Sequence, residues 1–372
     1  MKVLLLGFGK IAYMPYMNFY LDELQKNKDL EIELVYWDRD GKTDAEVPAQ
    51  IHKAYKFEAH LEEQLPFRKK LKFFERYRSF ALKVLRQNRY DSIIVLHTTP
   101  GLTLLDYLSM HYKGKYILDF RDVSYEYIPI YRKLVGILSR NAACTFVSSN
   151  AFRKFLPSQE EVYTIHNYLE DSLNHIGLRS EETRKRDVIR VSYWGLVRQV
   201  EVNKAVMDAL GNDKRFELHY YGRMQKAGRD MEEYARAKDL RNVFFNGAYM
   251  PNDRYEFAKN TDLIHNIYDL GYTTGNAMGN KYYDGVIFEI PQICTAGSHM
   301  GDAITERQVG VTIDLDDARI ADKLWDYYKG LNWQTFQRNC GTARDVFLAE
   351  QNVAKQRLMR FLNDTGRAEI AG

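Results

Sequence analysis

The chain opens with Val3-Leu4-Leu5-Leu6-Gly7-Phe8-Gly9-Lys10-Ile11-Ala12, a short apolar run that ends in two closely spaced glycines. An apolar run bounded by a turn signal is typical of a strand buried in a parallel sheet. A mixed stretch from Pro15 to Leu24 predicts the helix that follows the glycine loop. Strand, loop and helix in this order form the opening unit of an α/β fold.

The same order recurs along the rest of the chain. Strands are predicted at 32–37, 92–96, 116–120 and 143–147, and then at 188–194, 216–221, 243–245, 263–267, 292–294 and around Val311. Strands that alternate with helices favour doubly wound, Rossmann-like parallel sheets. One helix is predicted over 102–111. Because 169–187 shows no apolar period, we expect two domains, 1–170 and 188–345, joined by a linker at 171–187. A helical tail is expected at 346–372, with Val346 and Val353 among its apolar contacts.

Composition excludes several classes of protein. The 372 residues, 45% hydrophobic and 28% charged, suit two globular domains. A net charge of +3 is too balanced for a general nucleic-acid binder. Cys144, Cys294 and Cys340 form no close pair, which argues against disulfides and a cysteine-bound metal and favours the cytoplasm. Neither a signal peptide nor a membrane span is predicted, because no apolar run approaches about 20 residues.

The spacing of Gly7, Gly9 and Ala12 matches the dinucleotide fingerprint G-x-G-x-x-A. The acid that binds a ribose should follow about 20 residues on, whereas Asp38 and Asp40 lie 29 and 31 residues beyond Gly9. The favoured interpretation is the glycine turn that any doubly wound domain needs. An NAD-dependent oxidoreductase stays open as an alternative.

The stretch from Arg68 to Arg89 carries nine basic residues and one acid, Glu75, with apolar residues at helical spacing. A basic amphipathic helix suits an anionic membrane surface. The alternatives are a solvated face on a helix that packs in its own domain, and single-stranded nucleic acid, which the overall charge disfavours. The residues expected to meet the membrane are Arg68, Lys69, Lys70, Lys72, Arg76 and Arg78.

Polar side chains follow several predicted strands, where parallel sheets bind their ligands. Arg121 and Asp122 could face a cleft between the domains, or form an ion pair within one of them. After 188–194, Gly195 allows a close approach to a phosphate, and Arg198 and Lys204 could neutralise a diphosphate.

A glycine and asparagine loop, 275–279, runs into a predicted helix. The helix N-terminus at Gly279, Asn280 and Lys281 could cradle an anion. Asp284, one turn further, could accept hydrogen bonds from sugar hydroxyls. The alternative is a flexible surface loop with a solvated acid.

Taken together, these segments resemble the GT-B glycosyltransferases, in particular the retaining family-four enzymes that build bacterial capsules and lipopolysaccharides. The segments that carry the resemblance are 118–122, 146–149, 165–167, 193–195, 218–222, 243–247, 258–262 and 280–284 followed by Pro291. The family's pair of acids reads Asn276 and Asp284 here. Glu201 stands at a usual lysine, and Arg121 at a frequent histidine.

The resemblance implies a metal-independent, retaining hexosyl- or N-acetylhexosaminyltransferase without a cofactor. It would take a sugar from a UDP- or GDP-linked donor, bound mainly by 188–345, to a glycan or lipid-linked acceptor bound by 1–170. The tail would cross back to the first domain, and the enzyme would work in the cytoplasm or at the inner face of the membrane. Because the motifs are altered, a non-catalytic sugar-nucleotide-binding scaffold is a further alternative.

The residues expected to act divide into three groups. Catalytic roles fall to Arg121, Asp122, Arg198 and Lys204. Donor binding falls to Gly195, Gly222, Asn276, Gly279, Asn280, Lys281 and Asp284. The acceptor-side loops contain Gly7, Gly9, Lys10, His97 and Thr98.

Overall fold

A computed structural model describes residues 1–61, 67–158, 161–179 and 186–370. The chain divides into two compact units, of which the first comprises residues 1–166 with 349–372 and the second residues 167–348. All described strands pair in parallel, in one sheet for each unit. The prediction of two Rossmann-like, parallel-sheet units is therefore confirmed.

The sheet of the first unit has the order β3-β2-β1-β4-β5-β6-β7 in the described part of the chain. Its strands are β1 (Lys2–Leu6), β2 (Glu31–Asp38), β3 (Lys53–Glu58), β4 (Ser92–Leu96), β5 (Tyr116–Phe120), β6 (Cys144–Val147) and β7 (Val162–Thr164). The helices are α1 (Asn18–Leu24), α2 (Phe67–Gln87), α3 (Thr98–Thr103), α4 (Leu105–His111) and α5 (Pro129–Asn141).

Strand β1 shows why this sheet is covered on both faces. Val3 and Leu5 pack with α1, whereas Leu4 and Leu6 pack with α2 on the opposite face. Successive side chains of a strand point to opposite faces, so a continuous apolar run needs an apolar layer on each side. Because both faces of the sheet are covered by apolar side chains, a ligand would bind at the carboxyl ends of the strands.

The sheet of the second unit has the order β10-β9-β8-β11-β12-β13. Its strands are β8 (Ile189–Trp194), β9 (Phe216–Tyr221), β10 (Val243–Phe245), β11 (Leu263–Asn266), β12 (Gln292–Thr295) and β13 (Gly310–Ile313). The helices are α6 (Val200–Leu210), α7 (Lys226–Ala237), α8 (Arg254–Lys259), α9 (Asn280–Phe288), α10 (His299–Glu306), α11 (Ile320–Lys329) and α12 (Trp333–Ile370), whose last part belongs to the first unit.

Some local predictions are wrong. The single helix expected over 102–111 is two helices, α3 and α4, that meet at Leu104. Val346 and Val353, expected to be apolar contacts of the tail, are 41% and 49% exposed. None of the described helices combines the length and the apolarity that a membrane crossing requires.

Candidate functional site

Glycine turns end the first three strands of the second sheet. Gly195, Gly222 and Gly247 follow β8, β9 and β10, and all three have positive φ. A side chain on Gly222 would overlap the carbonyl oxygen of Gly195, so the two turns lie against each other. Only glycine suits such a position.

The loop after Gly195 carries Arg198 and is held from two sides. The buried Asn203 amide donates to the backbone oxygens of Arg198 at 2.8 Å and Gln199 at 3.0 Å. The side-chain oxygen of Gln199 accepts from the backbone N–H of Asp269 at 3.1 Å. Arg198 itself is exposed, and no described residue forms an ion pair or hydrogen bond with its guanidinium. The loop therefore presents an uncompensated cation on a fixed backbone.

Lys281 lies in the first turn of α9 and is buried. Its Nζ donates to the Tyr268 hydroxyl at 2.6 Å and lies 3.7 Å from the ring centroid of Tyr193. Burial lowers the pKa of Lys281 to about 7, assisted by the positive charge of Arg198 and opposed by Asp284. An anion at this place would restore the charged form.

The start of α9 is open to an anion. Gly279 precedes the helix, and no side chain in the described part of the chain caps its first amides. Free amides and the helix dipole favour negative charge at such an end. Asn280 and Lys281 thus lie at an N-terminus of the kind the sequence predicts.

Asp284 and Asn276 are used within the second unit. The Asp284 carboxylate is buried, accepts from the indole N–H of Trp194 at 2.9 Å, and lies 3.9 Å from Arg254. Burial raises its pKa, opposed first by Arg254. The Asn276 amide donates to the Tyr272 carbonyl at 2.8 Å. Their roles toward a donor stay predictions.

Lys204 lies on the surface of α6. Its ammonium pairs with Glu201 at 3.0 Å and lies 5.1 Å from the ring centroid of Tyr234. An exposed pair one turn apart contributes little. The structure thus gives Lys204 a partner on its own helix, whereas Arg198 has none among the described residues.

The glycine loop of the first unit contains its own counter-charges. Lys10 is buried, pairs with Asp40 and donates to the Lys42 carbonyl at 2.8 Å. The Asp44 carboxylate accepts from the backbone N–H groups of Ile11 at 3.1 Å and Ala12 at 3.0 Å. These are the amides that a pyrophosphate would use, so a carboxylate of the chain already occupies the place of the dinucleotide.

Beside this loop, a cavity of about 840 Å³ opens within the first unit. Gly9, Lys10, His97 and Asp122 contribute to its wall. Gly7 lies below, where a Cβ would come within 2.8 Å of the Met14 sulfur. Thr98 is buried in the first turn of α3 and is not part of the wall. The aromatic side chains around the cavity are Phe8, Tyr13, Tyr16, Phe74, Tyr125 and Tyr131.

Arg121 and Asp122 take different places at the end of β5. The buried Arg121 guanidinium lies 2.8 Å from Asp119 and 4.6 Å from the ring centroid of Tyr16. Burial raises the pKa of Asp119, opposed by Arg121. Asp122 is exposed to the cavity. Arg121 thus forms an ion pair with Asp119 inside the first unit, and the catalytic roles expected of Arg121 and Asp122 stay predictions.

Helix α2 buries the apolar face that a membrane would need. Tyr77, Ala81 and Val84 pack in the core of the first unit. Lys70 and Arg78 line the cavity, with Arg78 bound to Asp106 at 2.7 Å. Lys69, Lys72 and Arg76 point to solvent, and the side chain of Arg68 lies outside the described residues. The predicted membrane contacts whose side chains the structure describes therefore do not share one face.

The comparisons with known proteins establish the fold. No protein-family model matches the sequence, and no curated protein matches it. Sucrose-phosphate synthase from Thermosynechococcus elongatus superposes with a TM-score of 0.72 over 100% of both chains, at 11% identity. A glycosyltransferase from Rickettsia africae gives 0.66 over 98% of both chains, at 12% identity. HepE of Anabaena, in complex with UDP and glucose, gives 0.62 over 99% of both chains, at 13% identity.

The fold is thus the one shared by GT-B glycosyltransferases, two Rossmann-like units in one chain. At 11% to 13% identity the likeness extends to the fold alone. What this chain does with that fold must be argued from its own residues.

Proposed function

We propose that the protein is a glycosyltransferase that moves a hexosyl or N-acetylhexosaminyl group from a UDP- or GDP-linked donor to a glycan or lipid-linked acceptor. The observation that carries this proposal lies in the second unit. Lys281 is buried at the uncapped start of α9, and its Nζ lies 3.7 Å from the ring centroid of Tyr193 on β8. Arg198 lies on the loop that follows β8, and burial together with the positive charge of Arg198 lowers the pKa of Lys281. A buried cation at a helix N-terminus and an exposed cation on the neighbouring loop are the partners that a diphosphate needs.

This arrangement supports transfer chemistry because the departing nucleotide gains negative charge as the bond to the sugar breaks. Fixed donors that stabilise developing charge lower the barrier without reorganisation. Arg198, Lys281 and the first amides of α9 supply them in this proposal. A metal ion is then not required. The resemblance to retaining enzymes implies in addition that the leaving phosphate helps to deprotonate the acceptor hydroxyl.

The structural neighbours add support for a nucleotide sugar. HepE was solved with UDP-glucose as well as with UDP and glucose, and WaaB is a lipopolysaccharide galactosyltransferase. A role in bacterial surface polysaccharide synthesis, inside the cell and at its inner membrane, follows from the resemblance and stays part of the proposal.

Nucleotide binding is the first test. UDP, GDP, CMP, NAD and NADP are offered separately in a thermal-shift panel, with and without magnesium and with EDTA. A ligand at 100 times its Kd adds about 2.7 kcal/mol, so UDP or GDP should raise Tm by several degrees, with or without magnesium. A shift with NAD alone would overturn the proposal.

Transfer is the second test. Release of UDP or GDP from the sugar nucleotides that bind should fall at least about tenfold in Arg198→Ala, because a charge-assisted contact to the diphosphate is lost. Lys238→Ala, which removes a surface cation of the same unit that is paired with Asp208 at 2.9 Å, should stay within about twofold. Binding without any release from any donor would favour the non-catalytic scaffold.

Membrane association is proposed to use the outer face of α2. Lys69, Lys72, Arg76, Lys83 and Arg86 are separated by steps of three, four, seven and three residues, which place them along one side of the helix, and none forms an ion pair with a described residue. Each basic residue near an anionic surface contributes about 1 kcal/mol.

Cosedimentation with vesicles tests this surface. The wild type should bind anionic vesicles, release them at high salt, and ignore neutral ones. Lys72→Glu with Arg76→Glu should abolish binding, whereas Lys226→Glu with Arg229→Glu, on the exposed side of α7, should not. Equal loss in both double variants would contradict the assignment to α2.

A further inference from the structure

His97 has a backbone conformation that ordinary residues avoid. It follows β4 with φ 96° and ψ 153°, a region occupied almost only by glycine. The other described non-glycine residues with positive φ, Gln199, Asp239, Glu289 and Gln308, all have φ between 51° and 61°. Strain of this kind persists where the side chain is needed, and it concentrates at functional sites.

The hydrogen bond that the His97 ring makes at Nδ1 does not explain why a histidine, rather than another capping residue, occupies this position. The Nδ1 atom of His97 accepts from the backbone N–H of Thr99 at 3.2 Å, which caps α3. Asparagine would place its side-chain oxygen where Nδ1 lies and would cap equally well. Burial lowers the pKa of the ring, so the neutral ring that accepts at Nδ1 carries its proton on Nε2.

The second nitrogen of His97, Nε2, faces the cavity rather than a partner in the described part of the chain. No described residue bonds to Nε2, and the ring forms part of the cavity wall. Asp122, also on this wall, forms no ion pair with a described residue. The cavity therefore has one fixed N–H donor and one carboxylate acceptor for a ligand.

The remaining walls favour a neutral ligand. Four cations line the cavity. Lys10 pairs with Asp40, Arg78 pairs with Asp106, and Lys70 shares the wall with the acid Glu75. Arg39 donates to the Phe8 carbonyl and stacks 4.8 Å from the ring centroid of Trp37. Aromatic faces make good contacts with the C–H faces of a sugar ring, whereas carboxylates and ring N–H groups bind its hydroxyls.

We propose that this cavity binds a neutral sugar ring of the acceptor, with His97 Nε2–H donating to one hydroxyl and the Asp122 carboxylate accepting from another. That this sugar is the acceptor rests on the proposed function. That the cavity binds a sugar does not depend on it. His97 is thereby the residue that fixes the acceptor's orientation.

Saturation-transfer NMR with simple sugars tests the ligand class. The probes are the methyl glycosides of glucose, galactose and N-acetylglucosamine, with glucuronic acid and glucose 6-phosphate as anionic counterparts. At least one neutral glycoside should bind, and the two anions should bind at least about tenfold more weakly. Tighter binding of either anion, or no binding of any neutral glycoside, would overturn the proposal.

Three substitutions at His97 separate binding from folding. His97→Asn keeps the cap but lacks the Nε2–H donor, so Tm should stay within about 2 °C while glycoside affinity falls about tenfold. His97→Gln places an N–H near Nε2 and should recover part of the affinity. His97→Gly relieves the backbone strain but loses both contacts, so it should lose affinity like His97→Asn.

Controls assign the effect to the cavity. Asp122→Asn should weaken the same glycosides, and Arg198→Ala in the second unit should leave them unchanged. His97→Asn with wild-type glycoside affinity would refute the role of Nε2. If glycosides bind as expected while no nucleotide binds, the proposed function fails and the sugar site stands; the converse result rejects the sugar site alone.

Discussion

In both units a glycine loop follows the first strand, but the charged groups around the two loops are paired differently. In the first unit, Asp44 binds the loop amides and Asp40 neutralises Lys10. In the second, Arg198 has no ion-pair or hydrogen-bond partner among the described residues, and the polar and cation–π contacts that the structure gives the ammonium of Lys281 are with the Tyr268 hydroxyl and the rings of Tyr193 and Tyr268. The cation of the first loop is already neutralised within the chain, which favours a structural role. The cations near the second loop are not neutralised, which favours the binding of an anionic ligand.

The largest effect is expected from removing the charge of Lys281 in the second unit. Lys281→Met keeps the length and apolar stem but removes the charge, so affinity for UDP should fall at least about thirtyfold. Isothermal titration measures it, with Lys238→Met, at a surface lysine paired with Asp208, as the matched control. Unchanged affinity in Lys281→Met would remove the main difference between the two loops.

The pH dependence of donor binding sharpens the same comparison. Because the pKa of Lys281 is about 7, the free protein is mostly protonated there at pH 6 and mostly neutral at pH 8. A bound diphosphate needs the charged form, so affinity for UDP-glucose should fall about tenfold from pH 6 to pH 8. UDP-glucose is the suitable ligand because its diphosphate does not titrate in this range.

Lys281→Arg provides the control for that prediction. A guanidinium stays protonated throughout this range, so the variant should show a much flatter pH profile. Titrations in buffers of different ionisation enthalpy should also report proton uptake at pH 8 for the wild type alone. An equally steep profile in Lys281→Arg would locate the titrating group elsewhere.

The smallest effect concerns the loop of the first unit. Asp44→Ala removes the acceptor for two backbone amides and should cost about 1 kcal/mol of stability, lowering Tm by about 2 to 4 °C. Affinity for UDP, GDP and NAD should not change. Appearance of NAD binding in this variant would show that the first loop is a dinucleotide site blocked by its own carboxylate.

The sequence predicts most of the fold because buried parallel strands are continuous apolar runs, as at Val3–Leu6 and Ser92–Leu96. It does not reveal β3, because Lys53 to Glu58 contain three charged residues and lie at an edge of the sheet, where most of the side chains are at least partly exposed. The sequence also predicts one helix over 102–111, where the chain forms α3 and α4. The start of α3 is missed because it depends on the unusual backbone conformation of His97.

The sites are less accessible to sequence reasoning. Lys281 and Arg198 are found from their places after a strand and at a helix start, but Tyr193 and Tyr268, which surround Lys281, are not. The pairing of Asp44 with Ile11 and Ala12 spans more than 30 residues and depends on tertiary structure. No local signal identifies such a partner.

The bond between Trp194 and Asp284 makes the second unit its own optical reporter. The chain has 4 tryptophans, and the Trp194 indole N–H is bound to the Asp284 carboxylate on α9, the helix whose first turn contains Lys281. Indole emission depends on its polar surroundings, so a nucleotide that shifts α9 or changes the charge of Lys281 alters the fluorescence of Trp194. A titration followed by emission, with Trp194→Phe as the silent reference, would then read donor binding without any label.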